Sequence, residues 1–346
     1  MHDARYGWSS VHRCPSRHSD GERPRPARPG GGLTVPTIET RGLTKSFGDV
    51  DAVLDLDLTI EAGEVFGFLG PNGAGKSTTI NLLLDYIRPT SGSVEVFGMD
   101  AQRHPAKIRE RVGVLPEGYG FDDPLTGREY LDWAIGTKDA DDDPAALLDL
   151  VSLTDDAGRM AADYSKGMQQ RLAFAMALVD DPDLLILDEP STGLDPNGVR
   201  TMRENVADVA ADGTTVFFSS HHLAEVEAVC DRVGVMNEGE LVAVDSIDGL
   251  RDTVGGHAAI ELECATPPTE LGVEALDGVV DVAVEDHTLT VTCVDPGRKI
   301  DVVTHVAERA DVVDILSTTV SLETLFNELT EGGREGGGET TAEVAQ

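Results

Sequence analysis

Lysine is scarce in this sequence. Only 27 of its 346 residues are Lys or Arg against 63 Asp or Glu, and six of the 27 are Lys. The formal net charge of -36 is spread along the chain, which argues against a nucleic-acid partner, because phosphate backbones recruit basic faces. No run approaches the roughly 18 apolar residues needed to cross a bilayer, so any membrane role has to pass through a partner. Paired cysteine spacings are also missing. Cys14, Cys230, Cys264 and Cys293 read as buried thiols in a reducing cytoplasm, not as a zinc site or disulfide framework.

The carboxylate-rich, lysine-poor balance resembles the proteome style of halophiles, whose salt-rich cytoplasm screens such self-repulsion. An ordinary acidic protein is the alternative. Residues 1–36, rich in Arg, Pro and Gly without apolar periodicity, read as a disordered extension. Six Arg against three acids make that segment +3 on an acidic body. A start codon assigned too far upstream accounts for it, and a recruitment tail is the other reading.

From Thr37 the pattern becomes orderly. "TIETRGLTKSF" and "LDLDLTI" alternate as strands do, "GEVFGFLG" is a buried strand, and "KSTTINLLLDYI" has helical spacing up to "RPTSG". "DLLILDEP" and "GTTVFFSSH" are further apolar strands, each followed by a helical stretch. Such alternation predicts an α/β domain over 37–250, with a mostly parallel sheet and helices on both faces. Ligands should then bind beyond Leu69, Leu187 and Ser219, at the carboxyl ends of the strands. Residues 255–331 read as strand, helix, hairpin, helix, strand, a small α+β unit resembling a ferredoxin-like domain. Residues 332–346 read as a disordered Gly/Glu tail.

"GPNGAGKST", Gly70 to Thr78, fits the P-loop of Gly, four residues, Gly-Lys-Ser/Thr, between a strand and a helix. Its glycines (Gly70, Gly73, Gly75) leave the loop's backbone amides open to phosphates, and Pro71, Asn72 and Ala74 complete the turn. Lys76 brings a mobile positive charge, and the hydroxyl of Ser77, beside Thr78, suits Mg²⁺. In "LLILDEP", Asp188 is placed to hold the metal shell and Glu189 to polarise an attacking water. Two solvated carboxylates capping a strand would be the reading without a P-loop.

With both motifs present, residues 37 to about 250 resemble the ATPase subunit of an ATP-binding cassette (ABC) transporter, a P-loop NTPase with an antiparallel β subdomain and a helical subdomain. The resemblance implies ATP and Mg²⁺ as ligands. It assigns adenine stacking to Phe47, for which a core phenylalanine is the competing reading. "STGLDP" matches the loop whose Asp195 faces a partner subunit, and His221 in "FFSSHHL" matches the histidine that contacts the γ-phosphate, leaving His222 as a helix-start surface residue. Where most cassettes carry a glutamine that reaches Mg²⁺, "GVLPEGYG" offers Glu117. "YSKGMQQRL" matches the cassette signature, so Ser165 and Gly167 are implied to meet the nucleotide of a second subunit.

The resemblance therefore implies a dimer, homomeric or heteromeric, that drives a separate transmembrane permease from the inner face of the membrane. The "YSKGM" signature, Glu117 and the ending "SLETLFNEL" resemble the exporter branch that includes antibiotic efflux. A soluble cassette ATPase of translation or repair, and an importer ATPase, are the competing classes.

Overall fold

The structure is a computed structural model and describes residues 35–253, 258–268, 271–294 and 296–319. The expectations for residues 1–34, for "SLETLFNEL" and for the C-terminal tail lie outside the described residues.

The described chain opens with a hairpin, β1 (Ile38–Phe47) and β2 (Val50–Ile60), then runs through β3 (Val65–Leu69) into α1 (Lys76–Leu83). It continues through β4 (Ser91–Val96), β5 (Met99–Asp100), α2 (Pro105–Arg109) and β6 (Val112–Leu115). Helices α3 (Gly127–Lys138), α4 (Pro144–Leu150) and α5 (Lys166–Ala177) follow, then β7 (Leu184–Asp188), α6 (Pro196–Ala211), β8 (Thr215–Ser220) and α7 (Leu223–Glu227). The first unit closes with β9 (Arg232–Asn237), β10 (Glu240–Ser246) and α8 (Ile247–Thr253). A second unit holds β11 (Ala258–Cys264), β12 (Val279–Glu285), β13 (Thr288–Cys293), α9 (Lys299–Ala307) and β14 (Val312–Thr319).

The central sheet has six strands in the order β10-β9-β3-β8-β7-β6, parallel throughout except for the edge strand β10. Its middle strands are buried on both faces, so their sequences are continuous apolar runs, and the two-residue period of a strand sorts their side chains between two cores. Phe66, Phe68, Leu184, Ile186 and Phe217 face α1 and the antiparallel sheet β2-β1-β4-β5. Val65, Leu69, Leu185, Leu187, Val216 and Phe218 face α3 to α6, where Leu131, Leu148, Phe174 and Val206 meet them. Fully burying each of these aromatic and branched side chains contributes about 1.5–3 kcal/mol.

Helix starts are set by short polar residues. Thr126 caps α3 in a reciprocal box with Glu129, whose carboxyl is held below its ordinary range chiefly by the Thr126 backbone N–H. Asp143 and Asp195 cap α4 and α6, each followed by a proline in the first helical turn. Cys230, Cys264 and Cys293 are buried thiols, as expected. Burial pushes the Cys230 thiol well above its usual range, so it stays protonated and inert.

Two expectations need correction. The apolar spacing after Lys76 outlasts the helix: α1 stops at Leu83, Asp85 turns left-handed at φ 52°, and the amides of Tyr86 and Ile87 both fold back onto the Asn81 carbonyl. In the second unit, the stretch "PPTELGVEALDG" does not form the expected helix. Among its described residues there is a single 3₁₀ turn, Val273–Ala275, entered through Gly272 at φ 66° and left at an extended Leu276. A proline pair and a left-handed glycine within a dozen residues leave too little uninterrupted chain for a helix. The strand order there is β12-β13-β11-β14, with every neighbouring pair antiparallel and α9 packed on one face.

Candidate functional site

Strand β3 is buried along its whole length and ends at Leu69, directly before the phosphate-loop residues. Gly70 donates its N–H to the Ser220 carbonyl at 3.3 Å, which ties the loop to the end of β8. The loop turns through Gly73 at φ 85° and Gly75 at φ 107°, conformations that strain any residue with a side chain. Space forbids a side chain as well. A Cβ on Gly75 would lie 2.2 Å from the Ala52 carbonyl oxygen, and one on Gly70 2.4 Å from that of Met236. Pro71, Asn72 and Gly73 form the open crest, Ala74 packs inward, and Ser77 and Thr78 sit in the first turn of α1. Gly75→Ala is expected to cost about 1–3 kcal/mol in backbone strain alone and to abolish tight nucleotide binding; a melting curve with an ATP titration checks both.

Lys76 is only 6% exposed. Its ammonium donates to the Gly70 carbonyl at 2.7 Å and to that of Pro71 at 3.3 Å, and lies 3.4 Å from Glu189 Oε1. Buried cations are held only where anions or carbonyls meet them, so the loop, the lysine and Glu189 form one electrostatic unit.

The carboxylates come from the end of β7. Asp188 Oδ1 accepts from Ser219 Oγ at 2.8 Å. Glu189, one residue on and 4% exposed, has φ 50°. A non-glycine residue in that region is uncommon, and such strain clusters where geometry serves function. Glu189 Oε2 lies 2.8 Å from His221 Nδ1, while its Oε1, although near Lys76, makes no hydrogen bond among the described residues. One face of a buried carboxylate is thus oriented and the other is left able to accept, the arrangement a general base needs. The His221 ring packs on that of His222 with centroids 3.8 Å apart, and His222 is exposed at the start of α7, as expected.

Ser77, Glu117 and Asp188, the three predicted metal ligands, line one cavity of about 270 Å³ together with Asn81, Tyr86, Val114 and Pro116. Hydroxyl and carboxylate oxygens are the donor set that hard Mg²⁺ prefers, and with only two carboxylates the set suits a metal that also binds substrate phosphate. Among the described residues, no cluster of three or more His, Cys, Asp or Glu could hold a metal by itself. The residues fit the ion.

Phe47 closes β1 and is 52% exposed, with the Lys45 ammonium 4.8 Å from its ring centroid. The core reading of Phe47 is therefore wrong. Ser165 caps α5 by accepting from the Met168 N–H at 3.3 Å, and Asp195 caps α6 by accepting from the Gly198 N–H at 2.8 Å. Both are exposed, and they belong together: Gln170 Nε2 donates to the Pro190 carbonyl at 2.8 Å, and a Cβ on Gly167 would touch Leu194. Apart from Phe47, the predicted residues fall into two sets, one around Lys76 and Glu189, the other on the signature turn and the loop beside it. Ser191, Ser219, Ser220 and Glu225 join the buried network without having been predicted. The available signal was the strand period, which points the consecutive Ser219 and Ser220 to opposite sides.

A family model described as "ABC transporter" matches residues 53–192. The bacitracin transport ATP-binding protein BcrA of Bacillus licheniformis is 41% identical over 220 residues, 62% of this chain and 71% of that protein. The chain belongs to the ABC transporter family. A second relative, the linearmycin resistance ATP-binding protein LnrL of Bacillus subtilis, is 31% identical over 305 residues, covering 85% of this chain and 98% of that protein. A solved ATP-binding subunit of an ABC transporter superposes with a TM-score of 0.59 at 28% identity, over 63% of this chain and 93% of that one. The ABC cassettes are ATPases.

Proposed function

We propose that this chain is the ATP-hydrolysing subunit of an exporter of drug-like or antibiotic-like molecules, working as a pair of cassettes beneath a separate transmembrane permease. The observation that carries the reading is the convergence of Lys76, Glu189 and His221 at the carboxyl ends of β3, β7 and β8. The names of BcrA and LnrL, for bacitracin transport and linearmycin resistance, support the efflux class.

In this reading the backbone amides of Gly73 and of Gly75 to Thr78 and the Lys76 ammonium bind the β and γ phosphates, and Phe47 offers an exposed ring to the adenine. Ser77, Glu117 and Asp188 hold Mg²⁺, which would neutralise the charge that develops on the phosphate oxygens. Glu189 takes a proton from the attacking water through the carboxylate oxygen that has no protein donor, while His221, fixed through Nδ1, turns its other nitrogen to the γ-phosphate. Ser165 and Asp195 are exposed and Gly167 is half-buried, and the three complete the site of a second cassette. Each copy then holds two half-sites.

The second unit is, on this reading, a ferredoxin-like domain whose first helix has shrunk to a turn; its strand order and antiparallel pairing support this. The charge of -36 supports a working environment of high salt. No helix among the described residues is long and apolar enough to cross a membrane, which supports attachment to the inner membrane face through the permease. Purification of the tagged chain from native membranes is expected to bring down a protein with several transmembrane helices, and its ATPase rate to rise with the transported compound. Recovery with ribosomal or repair proteins, and no membrane protein, would favour a soluble cassette ATPase instead.

A further inference from the structure

Glu225 is a buried acid that no cation meets among the described residues. It is 9% exposed, at the middle of α7, and has no ion-pair partner among the described residues. Removing a carboxylate from water is costly unless its oxygens are satisfied. Two hydroxyls satisfy it: Ser191 Oγ and Ser220 Oγ both donate to Glu225 Oε2, the latter at 2.9 Å. Ser191 and Ser220 are themselves buried. Ser220 also accepts the His222 N–H at 3.0 Å, so its single proton is committed to Glu225.

The positions of the two donors give the network its meaning. Ser191 lies two residues after Glu189, at the head of the segment that leads to Asp195. Ser220 precedes His221 and accepts the P-loop amide of Gly70 on its carbonyl. Three consecutive residues at the end of β8 thus address three carboxylates: Ser219 bonds Asp188, Ser220 bonds Glu225, and His221 bonds Glu189. Only Glu225 also grips the far side of the Glu189 turn. That turn holds a left-handed glutamate, a conformation that persists only where its surroundings over-determine it.

We propose that Glu225 is a positioning residue for ATP hydrolysis: through Ser191 and Ser220 it sets the separation of Glu189 and His221, and links both to the segment bearing Asp195. The inference rests on the ATPase reading above. Glu225 itself touches neither nucleotide nor water in this role, so its loss should show in turnover and not in nucleotide affinity.

The test uses the full chain and separates the hydroxyl from packing. Ser191→Val and Ser191→Thr are nearly isosteric, and only the threonine keeps a donor. Ser191→Val and Glu225→Gln are expected to lower kcat about tenfold, the scale of a sub-ångström misplacement, with the ATP dissociation constant unchanged and Ser191→Thr close to wild type. If kcat is unchanged in Ser191→Val, if Val and Thr fall alike, or if ATP affinity falls in step with kcat, the proposal is wrong and the cluster is only packing. A wild-type chain without hydrolysis would instead bring down the ATPase reading on which it stands. Should Glu225→Gln fail to fold, the Ser191 pair still decides.

Discussion

Glu189→Gln is expected to bind ATP as the wild type does while hydrolysing it 10²- to 10⁴-fold more slowly, the contribution of a positioned general base. The amide keeps the volume of the carboxyl and can still face His221, so the strained turn at φ 50° should survive. What it loses is basicity at Oε1, the buried oxygen without a hydrogen-bond donor. It also removes the charge that lies 3.4 Å from Lys76 Nζ, so the lysine is freer to meet phosphate, and affinity should hold or rise. Single-turnover hydrolysis alongside nucleotide titration, both in high salt, separates the two effects. Undiminished hydrolysis in this variant would remove Glu189 from its assigned role.

Lys76→Ala is expected to act at the opposite end, on binding. The ammonium is almost wholly buried and now bonds the Gly70 and Pro71 carbonyls. On the proposed reading, those donors reach phosphate oxygens when nucleotide is present. Loss of a charged hydrogen bond of about 1.5–3 kcal/mol weakens ATP roughly 10- to 150-fold, and turnover falls further because the transition state carries more charge on the same oxygens. Truncation also leaves Glu189 with only His221 to oppose its buried charge, so some loss of thermal stability accompanies it. Normal nucleotide affinity, measured by calorimetry, would contradict the phosphate role.

The parts of the site that were legible in the sequence are those whose chemistry demands particular residue types at fixed spacing. A backbone cradle needs glycine at 70, 73 and 75 and a lysine at 76, and the clash distances at Gly70 and Gly75 show why no other residue fits. The buried parallel strands were legible as apolar runs closed by Asp188 and Ser220. What escaped were features decided by tertiary packing. Asp85 ends α1 although the apolar period runs on, because a left-handed residue satisfies the last carbonyls there. Glu225 reads in the sequence as one more acid among 63 Asp and Glu. Only the approach of α7 to the turn after Glu189 shows that it is buried and hydrogen-bonded to two serines. The exposure of Phe47 could not be decided from a strand pattern alone, since a residue at the end of a hairpin strand can face either way.

Ser165 and Asp195 each cap a helix with an exposed side chain, and Gly167 lies in the first turn of α5 beside Leu194. On the proposed reading these groups are halves of sites completed by a second copy, and the most direct test is the mass of the Glu189→Gln protein in solution. By light scattering in high salt with Mg²⁺ and ATP, it should weigh twice what it does without nucleotide. Adding Ser165→Arg should return it to the single-chain mass while ATP remains bound. A protein that binds ATP yet keeps one mass throughout, or a dimer indifferent to Ser165→Arg, would contradict the shared site.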